Sequence, residues 1–186
     1  MQALLVSLVA VAVAEIGDKT QLLALVLAAR YRKPWPICLG ILVATLANHA
    51  LAGEAGVLLA QWLSPAVLRW IVGLSLAGVA VWALFPDRIS DRDTQHATQR
   101  GVFLATLVGF FLAEMGDRTQ VATAVLAAQY QPLWQVIAGT TLGMLAANVP
   151  VVFLGARFAH RLPLRATRIV ACAIFAVLGA VVLLRG

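Results

Sequence analysis

Residues 15–21 read Glu15-Ile16-Gly17-Asp18-Lys19-Thr20-Gln21, and residues 114–120 read Glu114-Met115-Gly116-Asp117-Arg118-Thr119-Gln120. The two heptapeptides share five of seven residues at an offset of 99. The same offset carries Ala28-Ala29 onto Ala127-Ala128, Tyr31 onto Tyr130, Trp35 onto Trp134 and Gly40 onto Gly139. That many identities at one shift make the chain an internal repeat. Each motif is embedded in an apolar run, residues 3–14 before the first and 102–113 before the second, with eight apolar or small residues after each. A run of that length around a charged centre places the acids at mid-bilayer depth.

Composition supports a lipid solvent. The 186 residues are 62% hydrophobic and 12% charged, with a mean hydropathy of +0.91. A water-soluble domain of this size needs more polar surface. A hydrocarbon core of ~30 Å takes ~20 residues of helix, and six segments reach it, at about 3–29, 35–62, 66–85, 101–128, 133–157 and 166–184. They are continuous apolar runs without period-two alternation, which excludes a membrane β-barrel. The expected fold is an all-α membrane protein, with six transmembrane helices as two inverted three-helix repeats. Residues 1–85 form the first repeat, 86–100 a cytoplasmic linker and 101–186 the second. Three spans per repeat is an odd number, so the copies enter the membrane with opposite polarity, the arrangement of many secondary transporters. The N-terminal run lacks a basic flank and continues through the first motif, so no cleavable signal peptide is expected there.

The net charge of +6 does not point to nucleic acid, because no basic face interleaved with aromatics occurs. Ten basic residues fall after segments 1, 3 and 5: Arg30, Arg32, Lys33, Arg88, Arg92, Arg100, Arg157, Arg161, Arg165 and Arg168. Only Arg69 and Arg185 fall on the other side. The positive-inside rule then puts both termini outside the cytoplasm. Trp35, Trp62, Trp70, Trp82 and Trp134 lie near segment ends, as an aromatic belt requires. Cys38 and Cys172 have no His or Cys at ligand spacing and read as small hydrophobes. Asp87, Asp91 and Asp93 alternate with Arg88 and Arg92, which reads as a solvated linker.

The motifs place six ionisable groups where each costs roughly 2.5–3.5 kcal/mol to insert. On a continuous helix, Glu15, Asp18 and Lys19 share one face and Glu15–Lys19 is an i,i+4 pair; Glu114, Asp117 and Arg118 repeat this. Four carboxylates and two bases leave a charge of −2, which one divalent cation or two protons neutralise. Gly17 and Gly116 permit either close helix approach or a local break that frees carbonyl oxygens. Thr20, Gln21, Thr119 and Gln120 offer neutral oxygens as additional lining. An all-oxygen set suits a hard cation such as Ca²⁺, Mg²⁺ or Mn²⁺ rather than Zn²⁺ or Cu⁺. Lys19 and Arg118 read as charge-tuning groups, not ligands. Asp18→Asn or Asp117→Asn is expected to abolish cation binding and leave folding intact.

With Glu-x-Gly-Asp-[Lys/Arg]-Thr present once per half, the chain resembles the Gdt-type family of cation exchangers, relatives of human transmembrane protein 165. The resemblance spans essentially the whole chain. It implies a Ca²⁺/Mn²⁺:H⁺ antiporter with Glu15, Asp18, Glu114 and Asp117 at the cation site and no cofactor beyond the transported ions. Compact bacterial members resemble manganese exporters, which implies a bacterial inner (plasma) membrane.

Other intramembrane polar groups carry weaker signals. Asn48 and Asn148 either line the cation site or hydrogen-bond between helices. Asn48 and Asn148 match only after a one-residue shift; His49 and Glu54 have no counterparts, since Val149 takes the place aligned with His49 at that shift and Phe153 the place aligned with Glu54 at the offset of 99. They form either a proton path or a local hydrogen-bonded, hydrated patch. The sequence sets no oligomeric state, leaving a homo-oligomer open, and contains no nucleophile–base pair that would suggest an enzyme. A cation channel without proton coupling, a small-amine exporter and a non-transporting membrane subunit are the competing readings.

Overall fold

The computed structural model describes residues 1–85, 101–155 and 164–185. The 86–100 linker with its Asp and Arg residues, and Arg157 and Arg161, lie outside these. The described residues form eight helices and no strand: α1 (Gln2–Glu15), α2 (Lys19–Tyr31), α3 (Pro34–Gln61), α4 (Pro65–Ala83), α5 (Val102–Glu114), α6 (Arg118–Gln129), α7 (Leu133–Leu154) and α8 (Leu164–Arg185). Punctuation in the sequence sets the boundaries. Pro34 and Pro65 stand in the first turns of α3 and α4, where a missing N–H is harmless. Ser64 caps α4 by accepting from the Val67 amide at 3.4 Å.

Two of the expected segments are not continuous. The 3–29 segment is α1 and α2 separated at residues 16–18, and the 101–128 segment is α5 and α6 separated at residues 115–117. The 14 residues of α1 rise only about 21 Å, short of a ~30 Å hydrocarbon core. Three helices, α3, α4 and α7, are long and apolar enough to cross a membrane on their own; α1, α5 and residues 168–184 are apolar but shorter.

The outer surface is rich in large apolar side chains, and polar side chains share the core with apolar ones. Leu5, Leu39, Leu51, Leu74, Ile169 and Val177 point outward, whereas Ser7, Thr45, Asn48, His49, Thr106, Thr140 and Asn148 are buried with the motif residues. An apolar exterior with the polar groups kept inside is the distribution that lipid imposes. All five tryptophans are exposed, where an aromatic belt needs them. Cys38 and Cys172 are free thiols, half-buried against the apolar clusters.

The closest helix pairs run between the repeats. The first repeat's α1 packs on α7 of the second, and the second repeat's α5 packs on α3 of the first. Both contacts depend on a glycine. A Cβ on Gly40 would lie 2.7 Å from Thr106 Cβ and 2.9 Å from the Phe103 carbonyl oxygen, and one on Gly139 would run into the Leu4 carbonyl oxygen and meet Ser7. The 99-residue offset carries Leu4, Ser7 and Gly40 onto Phe103, Thr106 and Gly139, so the two contacts are counterparts. Without a hydrophobic driving force in lipid, such close backbone approach is what holds helices together. It also brings the C-termini of α1 and α5, each ending in a glutamate, into one interior.

Candidate functional site

Each motif breaks its helix in the same way. Glu15 closes α1, Ile16 turns extended at ψ 114°, and Gly17 takes φ 83°. Glu114, Met115 and Gly116 repeat this, with ψ 121° at Met115 and φ 73° at Gly116. A Cβ in that left-handed region costs ~1–2 kcal/mol, so glycine here serves the break rather than close packing. Asp18 then caps α2, accepting from the Lys19 amide at 2.8 Å, and Asp117 caps α6, accepting from the Thr119 amide at 3.3 Å. Gln21 and Gln120 reach back to accept from the Gly17 and Gly116 amides at 2.9 and 2.7 Å. Asp-x-x-Gln is the capping-box spacing with its return bond moved one residue outward. That was the readable signal for a helix start inside each apolar run.

The break overturns the single-face arrangement expected from a continuous helix. Glu15 and Lys19 are not an i,i+4 pair, and neither are Glu114 and Arg118. The bases pair across the motifs instead: Lys19 Nζ lies 3.1 Å from Asp117 Oδ1, and Arg118 Nη2 lies 2.7 Å from Asp18 Oδ1. The aspartates are thereby matched one to one with bases, and the surplus charge of −2 resides on Glu15 and Glu114.

Those two glutamates are fully buried. Thr20 donates to Glu15 Oε2 at 2.6 Å and Thr119 donates to Glu114 Oε2 at 3.1 Å, while Oε1 of each has no hydrogen-bond partner. An orphaned, buried carboxylate oxygen is costly. One oxygen each from Glu15, Glu114 and Asp117 lie within 4.8 Å of one another. A hard cation 2.3–2.6 Å from its ligands sets opposing oxygens ~5 Å apart, so the spacing and the oxygen-only chemistry both fit such an ion. Asp18 is not brought into this group.

The neutral candidates divide. Thr20 and Thr119 serve the glutamates directly. Gln21 donates to the Ala147 carbonyl at 2.9 Å, and Gln120 donates to Asn48 Oδ1 at 3.5 Å. Each thus ties a half-helix to the opposite repeat. Asn48 also donates to the Phe111 carbonyl at 3.0 Å, an interhelical role. Asn148 instead donates within its own helix, to Met144, and its Oδ1 is buried without a partner. His49 is buried with both ring nitrogens unpartnered, and Glu54 is exposed on the outer face of α3. Sequence reasoning missed the crossed pairing altogether, since nothing local separates it from pairing within a motif.

The chain matches the family described as divalent cation/proton antiporter GDT1 over residues 3–91 and 102–186. It is 51% identical over 176 residues to a Vibrio cholerae protein named "Putative manganese exporter", covering 94% of this chain and 87% of that one. It is 28% identical over 177 residues to a GDT1-like protein of Synechocystis, covering 81% of each. Solved structures yield no significant match. The chain therefore belongs to the GDT1 family, a membrane transporter of divalent cations and not an enzyme.

Proposed function

We propose that this protein exchanges a divalent cation, Mn²⁺ or Ca²⁺, for protons by alternating access. Glu15, Glu114 and Asp117 hold the ion, and Asp18 completes the charge balance through Arg118. One observation carries the reading: two surplus, fully buried carboxylates each keep an unpartnered oxygen, and one oxygen of each lies within 4.8 Å of the other and of one from Asp117. Metal and protons compete for those oxygens, so each promotes release of the other. A charge of −2 sets two protons against one ion. The Vibrio relative's name favours Mn²⁺.

In this reading the α1–α2 and α5–α6 pairs are two broken spans, and with α3, α4, α7 and α8 they make six. Residues 1–85 and 101–186 are inverted halves joined by 86–100. The mirrored motif breaks, crossed ion pairs and glycine contacts support the two-fold relation. Broken spans that meet at a midplane site are how such repeats bind ions.

The test of coupling is a proteoliposome with a trapped pH dye, its membrane potential clamped by valinomycin and K⁺. An imposed pH gradient should drive Mn²⁺ uphill, and outward Mn²⁺ flux should move protons the other way. Equal flux with and without the gradient, and a silent dye, would replace exchange with the channel reading.

The ten-to-two bias of basic residues supports termini outside the cytoplasm of a bacterial plasma membrane. A cysteine at Gln2 should react with an impermeant thiol reagent in intact cells, and one at Ser90 should not. The reverse labelling pattern would invert the topology.

A further inference from the structure

The two bases are not equivalent, although the repeat makes them counterparts. Arg118 is nearly enclosed, its side chain 4% exposed, with one nitrogen on Asp18 and another donating to the Phe85 carbonyl at 3.4 Å. Its planar fork is fixed at two points, and the acid it holds is not one of the three clustered carboxylates. Lys19 has an 18% exposed side chain and holds Asp117, which belongs to the cluster. An ammonium on a flexible four-carbon stem can swing away where a bonded guanidinium cannot. The repeat has thus placed a movable cation at the ion site and a locked one beside it.

We propose that Lys19 is a built-in counter-cation, which occupies Asp117 when the transported ion is absent and is displaced from it when the ion binds. The proposal rests on the cation site at Glu15, Glu114 and Asp117. It gives that site an asymmetric cycle. Three carboxylates face the ion, yet only the two glutamates need protons on the return, because Lys19 neutralises the third. It also sets affinity: a positive charge a few ångströms from a divalent ion repels it strongly at low dielectric. Lys19 keeps the ion from binding too tightly to leave.

The chain has only two lysines, Lys19 and Lys33, and Lys33 is exposed at the start of α3. Reductive methylation of the purified wild-type protein, read by peptide mass, therefore reports on Lys19 with Lys33 as an internal control. Saturating Ca²⁺ or Mn²⁺ should raise the rate at Lys19 about threefold or more, as it leaves Asp117, and leave Lys33 unchanged. Unchanged or slower modification of Lys19 in protein that binds the metal would overturn the proposal. In Lys19→Gln the Mn²⁺ Kd and transport KM should both fall ~10-fold or more, while maximal flux drops because release slows. Lys19→Arg, which keeps the charge, should return the Kd towards wild type. A Lys19→Gln protein that stays folded and binds Mn²⁺ no more tightly also overturns it. If the wild-type protein binds neither ion, the fault lies with the cation site itself, which separates the two failures.

Discussion

Glu15→Gln and Glu114→Gln should each lower Mn²⁺ flux by ~100-fold or more, equivalent to about 2.7 kcal/mol of binding, while the protein remains folded. These two carboxylates carry the charge that no base in the site offsets, and each keeps an unpartnered buried oxygen. Glutamine preserves the volume, and its amide oxygen can still accept from Thr20 or Thr119. At the mid-bilayer depth proposed for the site, replacing an uncompensated charge also removes a cost of roughly 2.5–3.5 kcal/mol, so thermal stability should hold or rise. Loss of transport together with unchanged or increased stability is the signature of a site residue rather than a structural one. Liposome flux and a circular-dichroism melt of the same preparation decide it. Near-normal flux in both variants would place the ion elsewhere.

Much of this arrangement was legible in the sequence because the repeat is strict. Five of seven residues copied at one offset, each heptapeptide set inside an apolar run, pointed to the acids and their surplus of two charges. The geometry of the break was less legible. Gly17 and Gly116 suit both close packing and a left-handed turn, and the apolar period runs on through Leu22 and Val121 as though nothing intervened. The deciding cue was Asp18 followed by Gln21, and Asp117 followed by Gln120, a helix-start spacing that a continuous hydrophobic stretch conceals. The partners of Lys19 and Arg118 lay beyond any local rule. An acid stands next to each base in sequence, and only the docking of α1–α2 against α5–α6 turns each base towards the other motif. Asn48 and Asn148 make the complementary point, since near-equivalent positions in the repeat acquire different bonds once their neighbours differ.

The crossed pairing changes what an aspartate substitution should do. If Asp18 carried surplus charge, Asp18→Asn would relieve the fold; bonded to Arg118 at 2.7 Å inside the protein, it should instead leave a guanidinium without its counter-charge. Removing one member of a buried pair costs about 3–5 kcal/mol, so Asp18→Asn and Arg118→Gln should each lower the melting temperature by ~10 °C in detergent. The double variant Asp18→Asn/Arg118→Gln removes both charges together and should recover most of that loss, because a neutral amide pair can hydrogen-bond in the same space. Glu15 and Glu114 retain their charge in all three variants, so Mn²⁺ binding in the double variant should stay within ~10-fold of wild type. If the double variant is as unstable as the sum of the singles, the two residues are not coupled, and the pairing across the repeats does not organise the site. If the double variant folds well yet binds no Mn²⁺, Asp18 is itself a ligand, and Arg118 must release it before the ion can enter.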